Sequence, residues 1–511
     1  LVTKKKSFTV VSTLKMESLN GVTCIKGEVH SIITLMRLHT RWAQSSRILK
    51  DVAYQDEDED IQAFRKLLDQ LEGLYDLNDV DCVLYLFPFY EIIVSSKVSG
   101  PLTGAALSSL SKFALYGFLS PSLPRIQEGI SLIAECITHC VFEETDWESD
   151  ELILMKLLEL STLCFRCDAS TLLTVRSAWD IYSTCLSIHN HYRASKILKS
   201  EAETALVNLT MTGFGKASLA INDLKSIGEI DEDTCDLSSG VGVTLLLGKI
   251  MICLGGLVEK QKQNMDTVKF ALFMLNVALE AGGPALNSMT PLVEILRNDI
   301  CRHLLRASQS DDLTVLTLAL RVVFNLFLSI KDHMKVQLEV FLTSVHLRFI
   351  DNRSAGNSAA REELALESLI DFCREPSLML DIYVNYDCDV QCTNLFESII
   401  NTLCSRSLPV ELQSSSSSRQ TTPRGKQNNE EKSFSQVRQA QTGSSTQMFR
   451  SKSGSGAGLK VTKTDLSKPL SIINRLALDG LLVVLHTIAA RCPVAEDPQV
   501  VNITPTVPRV E

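Results

Sequence analysis

Aromatic residues are scarce in this 511-residue chain, which contains 6% Phe, Trp and Tyr within a total of 45% apolar residues. Sheet-rich folds depend on aromatic and β-branched side chains, whereas packed helices are built largely from residues such as Leu and Ala. The scarcity therefore favours a helical fold. A chain of this length exceeds what one core supports, so two or three domains are expected.

Dense clusters of positive charge are missing from the apolar-patterned parts of the chain, and the formal net charge is −10. Binding to DNA or RNA needs clustered Lys and Arg that displace counterions from phosphates. A nucleic-acid partner is therefore not expected. The acidic run at 56–60 is interpreted as a solvated loop or helix start.

Cysteine is also sparse, with 15 in 511 residues, and most of these residues lie in apolar helical patterns. We interpret them as buried thiols of a reducing compartment. Cys136, Cys140, Cys164 and Cys167, with His139 nearby, could alternatively supply zinc ligands. Structural zinc sites usually place such pairs in turns, so we expect neither a metal nor another cofactor.

No uninterrupted apolar run reaches the roughly 20 residues that a transmembrane helix requires. The best candidates are 241–258, which contains Lys249, and 476–490, which contains Asp479 and His486. Both are predicted to be buried helices of a globular domain. The N-terminal residues lack the apolar stretch of a signal peptide.

Helical periodicity is the dominant pattern from residue 27 to residue 404. Ser149 is predicted to cap a helix in which Ile153 and Leu157 share one face. The stretch 313–327 is apolar on all faces, which predicts a helix buried between neighbours. The chain is therefore predicted to be all-α, an armadillo/HEAT-like helical solenoid built from two consecutive helical domains.

Two interruptions divide this pattern. Residues 213–240 are rich in Gly, Ser and Asp and are predicted to be a linker. Within them, Gly213–Ser218 lacks the spacer of a phosphate-binding loop. Residues 413–463 are of low complexity and locally basic, which predicts disorder, and contact with anionic lipid is the alternative to a plain linker.

The predicted organisation is a flexible tail at 1–24, a first domain at 25–212, a linker at 213–240, a second domain at 241–408, a disordered insert at 409–466, a final helix at 467–492 and a tail at 493–511.

A polar segment within the second domain differs from ordinary core patterning. It is dense in Asn, Asp and Tyr, and such groups must be hydrogen-bonded if they are buried. A polar network that fixes one helix–loop–helix arrangement would account for them. The residues assigned to this segment, the signature box, are Asn385, Tyr386, Asp387, Cys388, Asp389, Asn394 and Phe396.

The box resembles the N-Y/F-D-C-D and N-L/I-F/Y motif upstream of the exchange domain in large Golgi Arf guanine-nucleotide exchange factors. The sequences L-F-P-F at 86–89, G-P-L-T-G at 100–104 and S-D-E-L-I-L-M-K at 149–156 resemble the dimerisation and cyclophilin-binding domain of the same family. The similarity covers about 25–212 and 240–492 and is strongest to the brefeldin-A-resistance type.

The resemblance implies a non-catalytic regulatory region that self-associates and acts in vesicular traffic. Its implied partners are an Arf-family GTPase, its own exchange domain and the cytoplasmic face of Golgi membranes. A Rab-type GTPase that recruits it is a further implied partner. The F-R-L-P-G-E-A-Q-type loop of the exchange domain does not occur in the sequence, so we expect no nucleotide exchange from these residues. The box residues are expected to be structural.

Lys112 and Glu151 match charged positions that suit a dimer surface in this family, although ordinary solvated charges are an equal alternative. Two other functions remain open. A stand-alone helical-repeat trafficking adaptor would share the architecture without an exchange domain. A zinc-dependent hydrolase would require metal at the cysteine pairs, whereas the sequence offers neither a nucleophile in a recognisable elbow nor paired carboxylates.

Overall fold

The computed structural model describes residues 21–46, 59–142, 147–217, 235–259, 265–351, 359–408 and 470–491. Over these ranges the regular structure is helical, and the isolated bridge between Thr174 and Asp236 is their only β pairing. The predicted all-α class is confirmed. The first helix begins at Gly21, earlier than the predicted tail allows, and the predicted insert and C-terminal tail lie outside the described residues.

The chain divides into two compact units, residues 1–345 and residues 346–511. A π-helical stretch, Leu296–Ile300, joins two of the helices of unit 1. The helices of unit 1 are α1 (Gly21–Ser46), α2 (Glu59–Gln70), α3 (Cys82–Val94), α4 (Gly100–Leu115), α5 (Ile126–Thr138), α6 (Trp147–Arg166), α7 (Val175–His189), α8 (Lys196–Gly215), α9 (Gly240–Glu259), α10 (Met265–Gly282), α11 (Thr290–Ile295), α12 (Cys301–Ala307), α13 (Leu313–Ile330) and α14 (Lys335–Phe341).

Several of these helices begin at a side-chain cap. Thr174, Ser195 and Asp312 each accept a hydrogen bond from backbone N–H groups in the first turn of α7, α8 and α13. Such caps satisfy donors that have no partner within the helix. Ser149 was predicted to cap α6, but the helix begins at Trp147 and Ser149 lies inside it.

Helices two positions apart in the sequence pack against each other in unit 1. α3 packs on α5, α4 on α6, α5 on α7 and α6 on α8. This alternation produces two layers of helices, which is the arrangement of an α-solenoid. The apolar stripes predicted from periodicity, such as Ile130 and Ile133 of α5 and Ile153 and Leu157 of α6, are buried in these contacts.

The same packing continues on both sides of the predicted linker at 213–240. α7 packs on α9, and α8 packs on α10. The backbone N–H of Leu237 donates to Leu173 O at 2.9 Å, and Val175 N–H donates to Cys235 O at 2.9 Å. Helices before and after 213–240 therefore belong to one compact unit, and the family-domain boundary at this place stays a prediction.

Unit 2 is a smaller helical assembly. Its helices are α15 (Arg348–Asp351), α16 (Ala359–Arg374), α17 (Leu378–Ile382), α18 (Leu395–Ser407) and α19 (Ile472–Arg491). α19 packs on α16 and α18. The Asn474 side chain of α19 donates to the backbone carbonyls of Arg406 at 2.7 Å and Leu408 at 3.0 Å. The start of α19 therefore lies against the C-terminal end of α18, the helix that precedes residues 409–469 in the sequence.

Three described helices are long and apolar enough to span a membrane by length and composition: 240–259, 313–333 and 472–491. α9 is largely buried within unit 1, as predicted for 241–258. The matching prediction for 476–490 was wrong, because α19 buries one face and leaves Leu478, Leu482 and Leu485 exposed. Periodicity identifies an apolar face, but it does not identify the neighbour that covers it.

Candidate functional site

The signature box begins as a π-helix. Tyr383–Asp387 continues α17, and the N–H of Cys388 closes a wide turn by donating to Tyr383 O at 3.0 Å. The side chain of Asn385 donates to the carbonyl of Asp381 at 2.8 Å. It thereby satisfies a carbonyl in a turn where regular helical hydrogen bonding is altered. π-Helical turns of this kind are frequent at functional sites.

Asp387 connects the end of this π-helix to the start of α18. Its carboxylate accepts hydrogen bonds from Phe396 N–H at 2.8 Å and Glu397 N–H at 3.0 Å. These amides lie in the first turn of α18, and the preceding residue, Asn394, makes no side-chain cap bond there. A carboxylate at the positive end of a helix is also favoured by the helix dipole. Asp387 is therefore a long-range N-cap.

The remaining polar residues of the box stabilise the intervening turn. Asp389 accepts a hydrogen bond from Gln391 N–H at 3.0 Å, and the thiol of Cys392 lies 3.5 Å from its other carboxylate oxygen. Asn394 donates to the Glu397 carboxylate at 2.8 Å. Cys388 is exposed. Each of these contacts is local in sequence.

Aromatic packing completes the connection. The rings of Tyr383 and Phe396 meet edge to face at 5.8 Å, and Tyr386 is buried. The predicted helix–loop–helix role thus agrees with the geometry, but a fully buried network does not. Asn385 and Cys388 are exposed, so their side chains are open to solvent, and that of Asn385 is also bonded within its own turn.

Lys112 lies on α4 and makes an ion pair within unit 1. Its Nζ is 2.7 Å from Glu28 Oε1 on α1, and its side chain remains 45% exposed. Ser109 also donates to the Glu28 carboxylate at 2.8 Å. The pair joins α1 to α4 while leaving Lys112 accessible, so its assignment to a dimer surface stays a prediction.

Glu151 has a different environment from the one expected for a surface charge. It is 9% exposed, and its carboxylate accepts the backbone N–H of Ser195 at 2.7 Å. Ser195 is the N-cap of α8, so Glu151 of α6 holds the start of that helix. This internal contact accounts for the residue without a second chain. The sequence could not reveal it, because the partner lies 44 residues away.

The four cysteines considered as zinc ligands lie in partly or fully buried surroundings. Burial raises the pKa of Cys140 to about 12 and that of Cys167 to about 11, and it raises those of Cys136 and Cys164 well above the usual value. In the described ranges, no three His, Cys, Asp or Glu side chains are grouped closely enough to hold an ion.

The phosphate-loop alternative at Gly213–Ser218 does not agree with the helix boundaries. Gly213 and Gly215 lie in the last turn of α8, whose C-terminal end carries the negative pole of the dipole. Lys216 is largely buried, which lowers its pKa, and its Nζ lies 3.2 Å from Ser170 Oγ. Phosphate binding favours the opposite end of a helix.

A cleft of about 760 Å³ lies in unit 1 between helices α7, α8 and α10. The His189 ring stacks on Phe270 with centroids 4.0 Å apart, and its Nε2 lies 3.2 Å from Glu203 Oε1. Lys269, on the same wall, pairs with Asp312 at 2.8 Å. His189 and Glu203 meet inside the cleft, whereas Lys269 pairs with a residue outside its lining, and none of the lining residues is a Ser or Cys nucleophile.

Comparison with known proteins finds similarity to one family model. Residues 249–395 match the family model described as the Mon2/Sec7/BIG1-like HUS domain, a Sec7-like domain. The matched range includes the first part of the signature box, up to Leu395. This part of the chain is therefore similar to a HUS domain.

Individual proteins similar to this chain are named as exchange factors for ARF or of the Golgi-specific brefeldin A-resistance type. The chain is 24% identical over 460 residues to the ARF guanine-nucleotide exchange factor GNOM of Arabidopsis thaliana, covering 76% of this chain and 32% of the relative. It is 23% identical to the Golgi-specific brefeldin A-resistance guanine nucleotide exchange factor 1 homolog of Caenorhabditis elegans, covering 76% of this chain and 26% of the relative. ARF guanine-nucleotide exchange factor 1 of Saccharomyces cerevisiae is 24% identical, with 68% of this chain and 29% of the relative covered.

These similarities confirm the resemblance to the N-terminal region of large Golgi Arf exchange factors. The chain spans between 26% and 32% of the length of these three relatives. Among solved structures, an engineered protein covers 76% of this chain at 12% identity and a TM-score of 0.23, which is too low to indicate a shared fold.

We expect Asp387→Ala to loosen the start of α18. The change removes both acceptors of the Phe396 and Glu397 amides, and loss of an N-cap costs about 1–2 kcal/mol of unfolding free energy. Hydrogen–deuterium exchange followed by mass spectrometry should show exchange about tenfold faster in peptides covering the first turn of α18, for a cost of about 1.4 kcal/mol.

Asn385→Ala is the matched control, because it removes an exposed box side chain that bonds only within its own turn. It should change the unfolding free energy by less than about 0.5 kcal/mol and leave α18 protected. Unchanged exchange in α18 after Asp387→Ala would show that the carboxylate does not cap this helix.

Proposed function

We propose that this chain is the non-catalytic regulatory region of an Arf guanine-nucleotide exchange factor. In this proposal it self-associates, takes part in recruitment to the cytoplasmic face of Golgi membranes and controls Arf activation in vesicular traffic. The observation that carries the proposal is the match of 249–395 to a HUS domain within a chain whose relatives are named as Arf exchange factors.

The geometry of the box supports a regulatory role over a chemical one. Its carboxylates accept hydrogen bonds from backbone amides, and such groups are engaged in capping instead of being poised for proton transfer. A solenoid built in this way offers extended surfaces for other proteins. Arf and the protein's own exchange domain are the proposed partners, and a Rab-type recruiter is a further expectation from the resemblance.

Nucleotide exchange on Arf tests the proposal directly. The purified chain should not accelerate release of a fluorescent GDP analogue from Arf. When it is joined ahead of the exchange domain of a relative such as GNOM, it should change the exchange rate at least threefold relative to that domain alone. Fusion of an unrelated helical solenoid of similar size is the control. Equal rates for both fusions would contradict a regulatory function.

Self-association through Lys112 is tested by charge reversal. Lys112→Glu should weaken self-association at least tenfold if this charge meets a second copy, measured by sedimentation velocity over a concentration series. The same variant also breaks the ion pair with Glu28, so it needs a matched control.

The control is the double variant Glu28→Lys with Lys112→Glu, which restores an ion pair of reversed sign between α1 and α4. It should remain dissociated if Lys112 faces a partner copy, because the exposed charge is still reversed. Recovery of wild-type self-association would show that Lys112 serves only the internal pair.

A further inference from the structure

One helix of unit 2 is apolar yet largely uncovered. α19 has a mean hydropathy of 1.6, near the values of 2.2 and 2.1 for 240–259 and 313–333, but 17% of it is buried against 61% and 56% for those helices. Leu478, Leu482 and Leu485 are 44%, 57% and 65% exposed. With Ala489 they recur every three or four residues, so they form one stripe along the helix, here called the leucine face.

The orientation of α19 is fixed by its other side. Ala477, Gly480 and Val484 are buried against α16 and α18. A Cβ placed on Gly480 would lie 3.1 Å from Leu403 and 3.2 Å from Ile370, so the helix approaches its neighbours closely. Because α19 cannot turn without losing this packing, the leucine face points away from α16 and α18.

Basic residues occur on α19 itself and in the sequence that precedes it. Arg475 and Arg491 of α19 are exposed, and so is Asp479, whose carboxylate lies 3.6 Å from Arg374 of α16. The sequence between 413 and 463 contains nine Lys and Arg residues and two Glu residues. That tract lies outside the described residues. A net positive sequence therefore precedes α19 along the chain.

We propose that the leucine face of α19 is a contact site for an anionic membrane surface. Apolar side chains on one side of a helix enter the boundary between headgroups and acyl chains, while nearby basic residues are attracted to anionic lipids. The inference rests on the proposed function at a Golgi membrane, and it names the surface that meets the lipid.

The size of the face favours lipid over a second protein. Specific protein interfaces involve roughly 20–30 residues on each side, whereas the leucine face offers three leucines and one alanine. Membrane attachment needs fewer apolar groups when basic charge contributes a second signal. The basic tract supplies charge of the sign that an anionic bilayer attracts.

Vesicle flotation with the whole chain tests the site. The chain should float with phosphatidylcholine vesicles that contain about 30 mol% phosphatidylserine, and not with phosphatidylcholine alone, because anionic lipid supplies the attraction. The triple variant Leu478→Gln, Leu482→Gln, Leu485→Gln should bind at least tenfold more weakly. The single variant Leu482→Glu, at the centre of the face, should also weaken binding.

The matched control is Leu115→Gln, Ile252→Gln, Val336→Gln, three side chains of similar exposure that lie on different helices of unit 1. It should bind within twofold of the wild type, and melting curves should agree for all variants. Failure of the wild type to float, equal flotation with neutral vesicles, or undiminished binding of the triple variant overturns the proposal. Conversion of a wild-type dimer to a monomer by the triple variant also overturns it, because a second copy would then cover the face.

Different results would contradict the proposed regulatory function and the proposed membrane site. Control of Arf exchange without binding to vesicles would contradict the membrane site alone. Binding to vesicles that depends on the leucine face, without any effect on Arf exchange, would support this site and contradict the regulatory function.

Discussion

The burial of each helix of unit 1 against several neighbours is the constraint on which the rest of the structure depends. α9 shows it most clearly, since it is apolar on all sides and packs on α7, α10, α11 and α12. Its glycines allow that closeness, and a Cβ on Gly255 would lie 2.7 Å from Ile300 Cδ1. Removing this apolar surface from water supplies the main driving force for folding. The side chains that remain available for partners lie at helix ends and on outer faces.

The signature box, in unit 2, meets a second requirement of packed helices. A solenoid must connect one helix to the next without leaving backbone donors unsatisfied, and Asp387 does so for α18 from the end of the preceding π-helix. The density of Asn and Asp at this point therefore has a physical cause that requires no chemistry. A regulatory region needs such a fixed connection, because a partner that binds one helix can influence its neighbour only if their geometry is defined.

Local patterns predicted the helical class, the buried stripes of α5 and α6 and the identity of the box. Contacts between distant residues could not be predicted in the same way. Glu151 was expected at the surface, yet it binds Ser195 N–H from α8. The leucines of α19 were expected to be buried, yet they face away from α16 and α18. Periodicity reports which residues share a face, whereas coverage of that face depends on packing partners far away in sequence.

The predicted linker at 213–240 is another case in which local sequence did not report packing. Its composition indicated a break, although the helices on either side of it pack together. Cleavage of the chain at a protease site inserted between residues 218 and 234 tests the continuous solenoid of unit 1 most directly. We expect the two fragments to co-elute on size-exclusion chromatography. They should also unfold at nearly the same temperature as the uncut chain with the same insertion. Separation of the fragments under native conditions would contradict it.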